Sequence, residues 1–493
     1  MINEKRSSLV PIGHHDASQS SDPRKSSSQS ENKLHGLSVS TSAFFVIGEV
    51  AGAGIVAMPG ALCDAGWYAG LLLIIASAII GCYAGIQLGN CWILVQHLYP
   101  EYRYQCRKPY PTIGEKAVGK FMRQFVTICL WLTCYFAAIA FIILSAELMQ
   151  KVINQHTTGF NTCYGMAVIC ACLLPMTMLG TPADFWFISI ITMVTSAAAP
   201  IFITIGSLLD LNRYNLTDIL PSNTSTITPI HPAQVHTEHQ WLGFTKFALA
   251  YGTIIFSYGG HSAFPTIQHD MKNPGEFWKS MIVSFSVIVI VYTLTATAGY
   301  YVYGDLLTKA DYNGDITGII STGWIKETVS ILIAIHVIFS FLVVINVVNQ
   351  EIEDILKIKP TFGPLRVISR TIVLGVALFI AESVPQFHSI LSLVGSTTIT
   401  LAIFFFPGIF YLLLKRQGRQ RIDISSGQQQ QQQQQQLNQE KYRTYYWEYA
   451  INAVFIIYGS LAGVSGLYGS ISSFITDFKQ QPPCYIKLIN NTS

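Results

Sequence analysis

Charged residues are scarce in this sequence. Asp, Glu, Lys and Arg make up 12% of its 493 residues, whereas soluble proteins carry roughly 25%. Hydrophobic residues make up 51% and gather into long uncharged runs. This pattern excludes an ordinary soluble globular protein and predicts an all-α polytopic membrane protein. The net charge of +3 is too small to favour a nucleic-acid partner.

Several functional signatures are also missing. The apolar runs contain no paired catalytic carboxylates and no metal-ligand spacing, so we expect no enzyme, no metal and no cofactor. They contain no selectivity-filter motif and no voltage-sensing arginine series, which disfavours a channel. The N-terminal residues are polar and Ser-rich and lack the apolar core of a signal peptide. We therefore expect residues 1–36 to form a disordered cytoplasmic tail.

Eleven apolar segments are long enough, or nearly so, to cross a bilayer, which takes about 20 helical residues. They lie near 40–62, 67–95, 124–149, 164–180, 184–209, 243–267, 280–303, 324–350, 366–382, 387–414 and 447–473. The membrane domain is thus expected at 37–473. It includes a cytoplasmic loop, 415–446, whose nine consecutive glutamines we interpret as a tolerated low-complexity expansion. Residues 474–493 are expected to form an outer-face tail.

The distribution of positive charge predicts a cytoplasmic N-terminus. In that orientation 23 of the 30 Lys and Arg residues fall in the tail and inner loops, as the positive-inside rule requires. Every N-x-S/T sequon falls on the outside, where glycosylation occurs, and Asn215 and Asn223 are the predicted sites. Cys163 and Cys484 also fall on this face, where a disulfide can persist, although nothing in the sequence fixes their distance.

Two of the apolar segments are interrupted in the same way. One contains GAGIVAMP, residues 52–59, and the other contains GGHSAFP, residues 259–265. Glycine and proline cost about 1 and 3 kcal/mol inside a helix relative to alanine. Broken backbone survives inside a membrane only where it lines a cavity or is buried in protein. Interrupted segments at corresponding positions in two halves therefore predict a transporter's binding site, with helix packing by small residues as the alternative.

The two breaks suggest how an amino acid would be bound. The half-helix that resumes near Ile55 would offer N–H groups and a positive dipole end to a carboxylate, and free carbonyls would accept from an ammonium group. We predict Tyr258 as a gate over the ligand, although ordinary aromatic packing explains it equally well. The predicted substrate-binding residues are Gly52, Ala53, Gly54, Ile55, Ser257, Tyr258, Gly259, Gly260 and Ser340.

Ionisable side chains inside these segments are candidates for proton coupling. Glu49 lies one turn before the first break, His261 adjoins the second, and His336 lies within the eighth segment. Histidine titrates near physiological pH, which suits proton transfer. A structural, hydrogen-bonded histidine explains His336 equally well.

Four blocks of the sequence resemble the eukaryotic amino acid/auxin permease family. They are GAGIVAMPGALCDAGW at 52–67, FSYGGHSAFPTIQHDMKNP at 256–274, HVIFSFLVVINVVNQEIED at 336–354 and LVGSTTITLAIFFFPGIFYL at 393–412. The resemblance covers about residues 37–473. It implies a fold of eleven transmembrane helices, arranged as a leucine-transporter-like 5+5 inverted repeat plus one.

The resemblance also implies secondary transport of amino acids, usually driven by protons and in one branch by sodium. Sodium-coupled relatives carry an asparagine where this sequence has Gly48, so we expect protons as the coupling ion. A receptor that binds an amino acid with little flux is the alternative. Plasma membrane and endolysosomal or vacuolar membrane both remain open, and the sequence does not specify which amino acid is bound.

Overall fold

A computed structural model describes residues 36–103, 106–154, 159–178, 186–217, 242–308, 315–321, 323–359, 362–425, 445–480 and 483–486. Its helices are α1 Val39–Val50, α2 Gly54–Ala65, α3 Trp67–Leu98, α4 Pro109–Ala117, α5 Lys120–Ile153, α6 Thr162–Thr177, α7 Trp186–Thr217, α8 Phe244–Ser257, α9 Phe264–His269, α10 Phe277–Tyr303, α11 Gly323–Ile355, α12 Pro364–Ser383, α13 Phe387–Val394, α14 Phe406–Ser425 and α15 Tyr446–Gln480. Two π-helical stretches, Gly395–Ile399 and Leu401–Phe405, join α13 to α14. No β-strand occurs in these residues, although Leu37 and Met271 form an isolated parallel bridge.

The polytopic helical architecture predicted from composition is confirmed. In the described parts of the chain, eight helices are long and apolar enough to cross a membrane, and the bent pair of α1 and α2 makes a ninth. Helices α6 and α8 are apolar but shorter. The count of eleven spans and the inverted repeat therefore stay predictions.

Both predicted breaks are present. Helices α1 and α2 meet at an angle of 60°, because the segment Ala51–Ala53 leaves the helical path. Helix α8 ends at Ser257, and α9 begins seven residues later, at Phe264, with Pro265 in its first turn, where a missing N–H costs nothing. All twelve residues of α2 are buried, Pro59 included. The first break thus delivers the chain into the core and not to a lipid-facing surface.

Helix α10 supports α1 along its length. The hydroxyl of Ser280 donates to the carbonyl of Val39 at 2.9 Å, and that of Ser284 donates to the carbonyl of Ala43 at 3.0 Å. These serines lie one turn apart on one face of α10 and are fully buried. Helix α11 packs along α5 and α7, and α15 packs against α8. The two broken segments are therefore packed among longer helices.

Two further links join distant parts of the chain. Cys163, at the start of α6, forms a disulfide with Cys484, and their Cα atoms are 5.6 Å apart. At the opposite end of α6, the guanidinium of Arg370 donates to the carbonyl of Thr177. Arg370 also pairs with Glu353 of α11 at 2.6 Å, and both side chains are almost completely buried. These contacts fix α6 against α11 and α12.

Candidate functional site

A cavity of about 160 Å³ lies between the two breaks. Its wall includes Gly52, Ala53 and Gly54 from the first break and Ser257, Gly259 and Gly260 from the second. The rest of the wall comes from α1, α5, α7, α8 and α11, from Ser262 of the second break and from a π-helical residue after α13. A single buried water needs on the order of 10 Å³. The cavity therefore has room for a small solute.

The two breaks are in direct contact, and glycine is required for that approach. A Cβ atom added at Gly54 would lie 2.7 Å from Cα of Ser257 and closer still to its side chain. A Cβ added at Gly260 would lie 2.7 Å from Cγ2 of Val50. Since carbon atoms in contact are about 3.5–4.0 Å apart, neither glycine can be enlarged without moving a helix. The glycines thus serve packing and the cavity at once.

The start of α2 offers unpaired backbone donors to the cavity. Within the described residues, the N–H groups of Ala53 and Gly54 make no hydrogen bond to the backbone or to a side chain. Both residues line the cavity, and the N-terminus of α2 adds the positive end of a helix dipole. Ile55 differs from these two residues: its N–H donates to the carbonyl of Gly52 at 3.2 Å, and its buried side chain does not line the cavity.

His336 of α11 faces the first break across the cavity. Its Nδ1 lies 3.0 Å from Oγ of Ser196 and 3.2 Å from the carbonyl oxygen of Thr192. Because a carbonyl only accepts, we assign the proton of the neutral ring to Nδ1. Nε2 is then the acceptor. It receives a hydrogen bond from Ser340 at 3.2 Å, and a Cβ added at Gly52 would lie 3.1 Å from it.

Glu49 lies on the cavity wall at the C-terminal end of α1. Its side chain is exposed to that space, with Cγ 3.5 Å from where a Cβ at Gly260 would lie. Within the described part of the chain, its carboxylate has no hydrogen-bond donor or cationic partner. Carbonyl groups at a helix C-terminus carry partial negative charge. A carboxylate at the end of α1 therefore favours the binding of a proton or another cation.

The structure does not place His261 or Tyr258 on the cavity wall. The Nε2 atom of His261 lies 3.0 Å from the carbonyl oxygen of Gly81, and its ring packs against Phe264 with centroids 4.6 Å apart. Tyr258 is fully buried, with its ring 5.2 Å from that of Tyr292. Tyr258 therefore packs among aromatic rings beside the cavity wall, and of the two predicted histidines it is His336 that lines the cavity.

Some cavity residues were not predicted from the sequence. Thr192 and Met193 of α7, Phe141 of α5 and Phe44 of α1 all line it. All but Phe44 belong to helices without a break, and the apolar surroundings of all four give no signal of which face meets the cavity. Of the two predicted glycosylation sites, Asn215 lies in the last turns of α7, and Asn223 lies outside the described residues.

Residues 35–423 match the family described as transmembrane amino acid transporter protein. The chain belongs to this family. The resemblance predicted from the four sequence blocks is thereby confirmed, as is an integral, multi-pass membrane protein.

Similar proteins are found in Arabidopsis thaliana. The chain is 24% identical to "Lysine histidine transporter-like 3" over 394 residues, which is 77% of this chain and 81% of that protein. It is 25% identical to "Amino acid transporter AVT1J" over 394 residues, covering 77% and 84% of the two chains. It is 21% identical to "Amino acid transporter AVT1D" over 363 residues, covering 73% of this chain but only 61% of that relative. These identities are low, and all three relatives are named as transporters.

Proposed function

We propose that this protein is a secondary active transporter of amino acids that binds its substrate between the two broken helices. The observation that carries the proposal is the direct contact of the two breaks beside a cavity of about 160 Å³. Membership of the amino acid transporter family and the names of its relatives support the substrate class.

The polar groups of the cavity suit the two ends of an amino acid. The free N–H groups of Ala53 and Gly54 would receive the carboxylate, since a helix N-terminus binds anions. The hydroxyl of Ser257 donates to the carbonyl of Thr253 at 2.8 Å, so its lone pairs are left to accept from an ammonium group. Glu49 adds negative charge on the same wall. Donors for the carboxylate and acceptors for the ammonium group would thus lie close together where the two breaks meet.

Proton coupling is part of the proposal. Nε2 of His336 is an acceptor beside Gly52, and Glu49 lies exposed to the same cavity. Either group would take up a proton when the substrate is bound, which links the two events electrostatically. Gly48, where sodium-coupled relatives carry asparagine, supports protons over sodium.

Alternating access accounts for the shape of the cavity. The wall includes Phe44, Phe45 and Glu49 along α1, but no residue of α2 beyond Gly54. Helix α2 is buried throughout, and its packing would close the cavity on the side of the membrane toward which α2 runs. With the N-terminus in the cytoplasm, as proposed from the charge distribution, this conformation is open toward the cytoplasm. The sequons at Asn215 and Asn223 would then face the exterior or the lumen of an endolysosomal or vacuolar membrane.

Uptake by purified protein in liposomes tests the proposal. Initial rates would be measured for a panel of amino acids at two pH values, with and without sodium. We expect uptake of at least one amino acid that rises with an inward proton gradient and is unchanged when sodium is removed. Binding without uptake would favour the receptor alternative. Uptake that requires sodium would contradict proton coupling, and neither binding nor uptake would contradict the proposed substrate class.

A further inference from the structure

We propose that Tyr292 of α10 is a positioning residue whose hydroxyl holds the ends of both broken half-helices in the arrangement that binds substrate. Its Oη lies 2.8 Å from the carbonyl oxygen of Val50 and 2.9 Å from that of Ser257. Val50 is the last residue of α1, and Ser257 is the last residue of α8. One side chain therefore reaches both breaks. This inference rests on the proposed function, since it concerns the same cavity.

Both acceptors are of the kind that a helix end leaves without a partner. In a continuous helix, each carbonyl accepts from the N–H four residues on, and a break removes that donor. The carbonyl of Val50 also accepts from the N–H of Gly52 at 2.8 Å. For the carbonyl of Ser257, Tyr292 is the one partner found within the described residues. A buried carbonyl without a donor is unfavourable, so the hydroxyl is required where the two breaks meet.

Tyr292 does not line the cavity. It contacts the backbone of the two breaks instead. Its side chain is fully buried. Its hydroxyl carries one hydrogen and donates to one carbonyl at a time. Both carbonyl oxygens lie within hydrogen-bond distance, so the hydrogen bond can switch between α1 and α8. Together with Ser280 and Ser284, it forms a row of hydroxyls on α10 that donate to α1. Of this row, Tyr292 is the member that also reaches α8.

The adjacent Tyr258 provides a matched control. Its ring is equally buried and packs against that of Tyr292, but its hydroxyl has no hydrogen-bond partner within the described residues. Tyr292→Phe and Tyr258→Phe thus remove the same atom from neighbouring rings. Only the first removes a contact to the two breaks.

The experiment compares these variants by uptake and by hydrogen–deuterium exchange of the purified full-length chain. For Tyr292→Phe we expect about a tenfold rise in KM for the best wild-type substrate, with little change in maximal rate. We also expect faster exchange at residues 50–54 and 257–260. Tyr258→Phe should match the wild type in both measurements. Wild-type KM and exchange in Tyr292→Phe, or equal changes in both variants, would overturn the inference.

A second substitution covers the case in which Tyr292→Phe does not fold. Introducing 4-aminophenylalanine at position 292 restores an N–H donor at the same place. Recovery of folding and of wild-type exchange would support the donor role, whereas the same failure as with phenylalanine would refute it. The exchange measurement needs no substrate. If the wild type transports no amino acid, the proposed function fails while the role of Tyr292 at the breaks is still tested.

Discussion

Replacing Gly54 by alanine tests whether the contact between α2 and α8 sets the geometry of the cavity. The added methyl would lie 2.7 Å from Cα of Ser257, whereas carbons in contact are about 3.5–4.0 Å apart. Because the nearest obstacles include backbone, the two half-helices must separate by about 1 Å. Overpacking of this kind typically costs about 1–3 kcal/mol. If that cost falls on the substrate-binding arrangement, transport efficiency drops by about 5- to 150-fold.

The assay is the initial rate of uptake, normalised to the amount of protein at the membrane. Gly375→Ala is the matched control, since it changes a glycine of another helix around which no atom lies within 4 Å of the added carbon. It should transport like the wild type. Wild-type uptake by Gly54→Ala at equal abundance would refute the assigned contact between the two breaks.

Three further substitutions test other parts of the structure. His336→Gln should weaken the pH dependence of uptake, because it removes one of the two cavity groups proposed to take up a proton; a wild-type pH profile would exclude His336 as the coupling group. Glu353→Gln should cost about 3–5 kcal/mol, because it leaves the buried charge of Arg370 unpaired; the measurement is the yield of monodisperse protein, and Glu353→Asp should retain most of it. Cys163→Ser should lower the free energy of unfolding by about 2–4 kcal/mol; an unchanged melting temperature would show that the bond to Cys484 does not contribute.

The sequence was sufficient to locate the two breaks. Glycine and proline are unfavourable in helices for local reasons, so their spacing predicts where α1 and α8 end without any knowledge of packing. It also placed Gly54 and Gly260 at the site, because close backbone approach demands glycine. The observed contacts of Gly54 with Ser257 and of Gly260 with Val50 are in line with that reasoning.

The direction of side chains near a break could not be predicted in the same way. Periodicity projects a face only along a continuous helix. Tyr258 and His261 lie where the helix is interrupted, so neither could be assigned to the cavity or to the core. The tyrosine that holds the breaks together was not predicted at all, because Tyr292 lies in an unbroken apolar helix. Residues from α5 and α7, such as Phe141 and Thr192, reach the cavity through helix packing that no local pattern encodes.

The disulfide between Cys163 and Cys484 has a consequence for the biogenesis of the protein. It closes a loop of 321 residues in sequence separation, and its second cysteine follows α15. The bond can therefore form only after that helix has been synthesised and has delivered Cys484 to the same oxidising compartment as the start of α6. Oxidation of this pair would mark molecules in which α6 and α15 are both in place, and the reduced chain would identify molecules in which they are not.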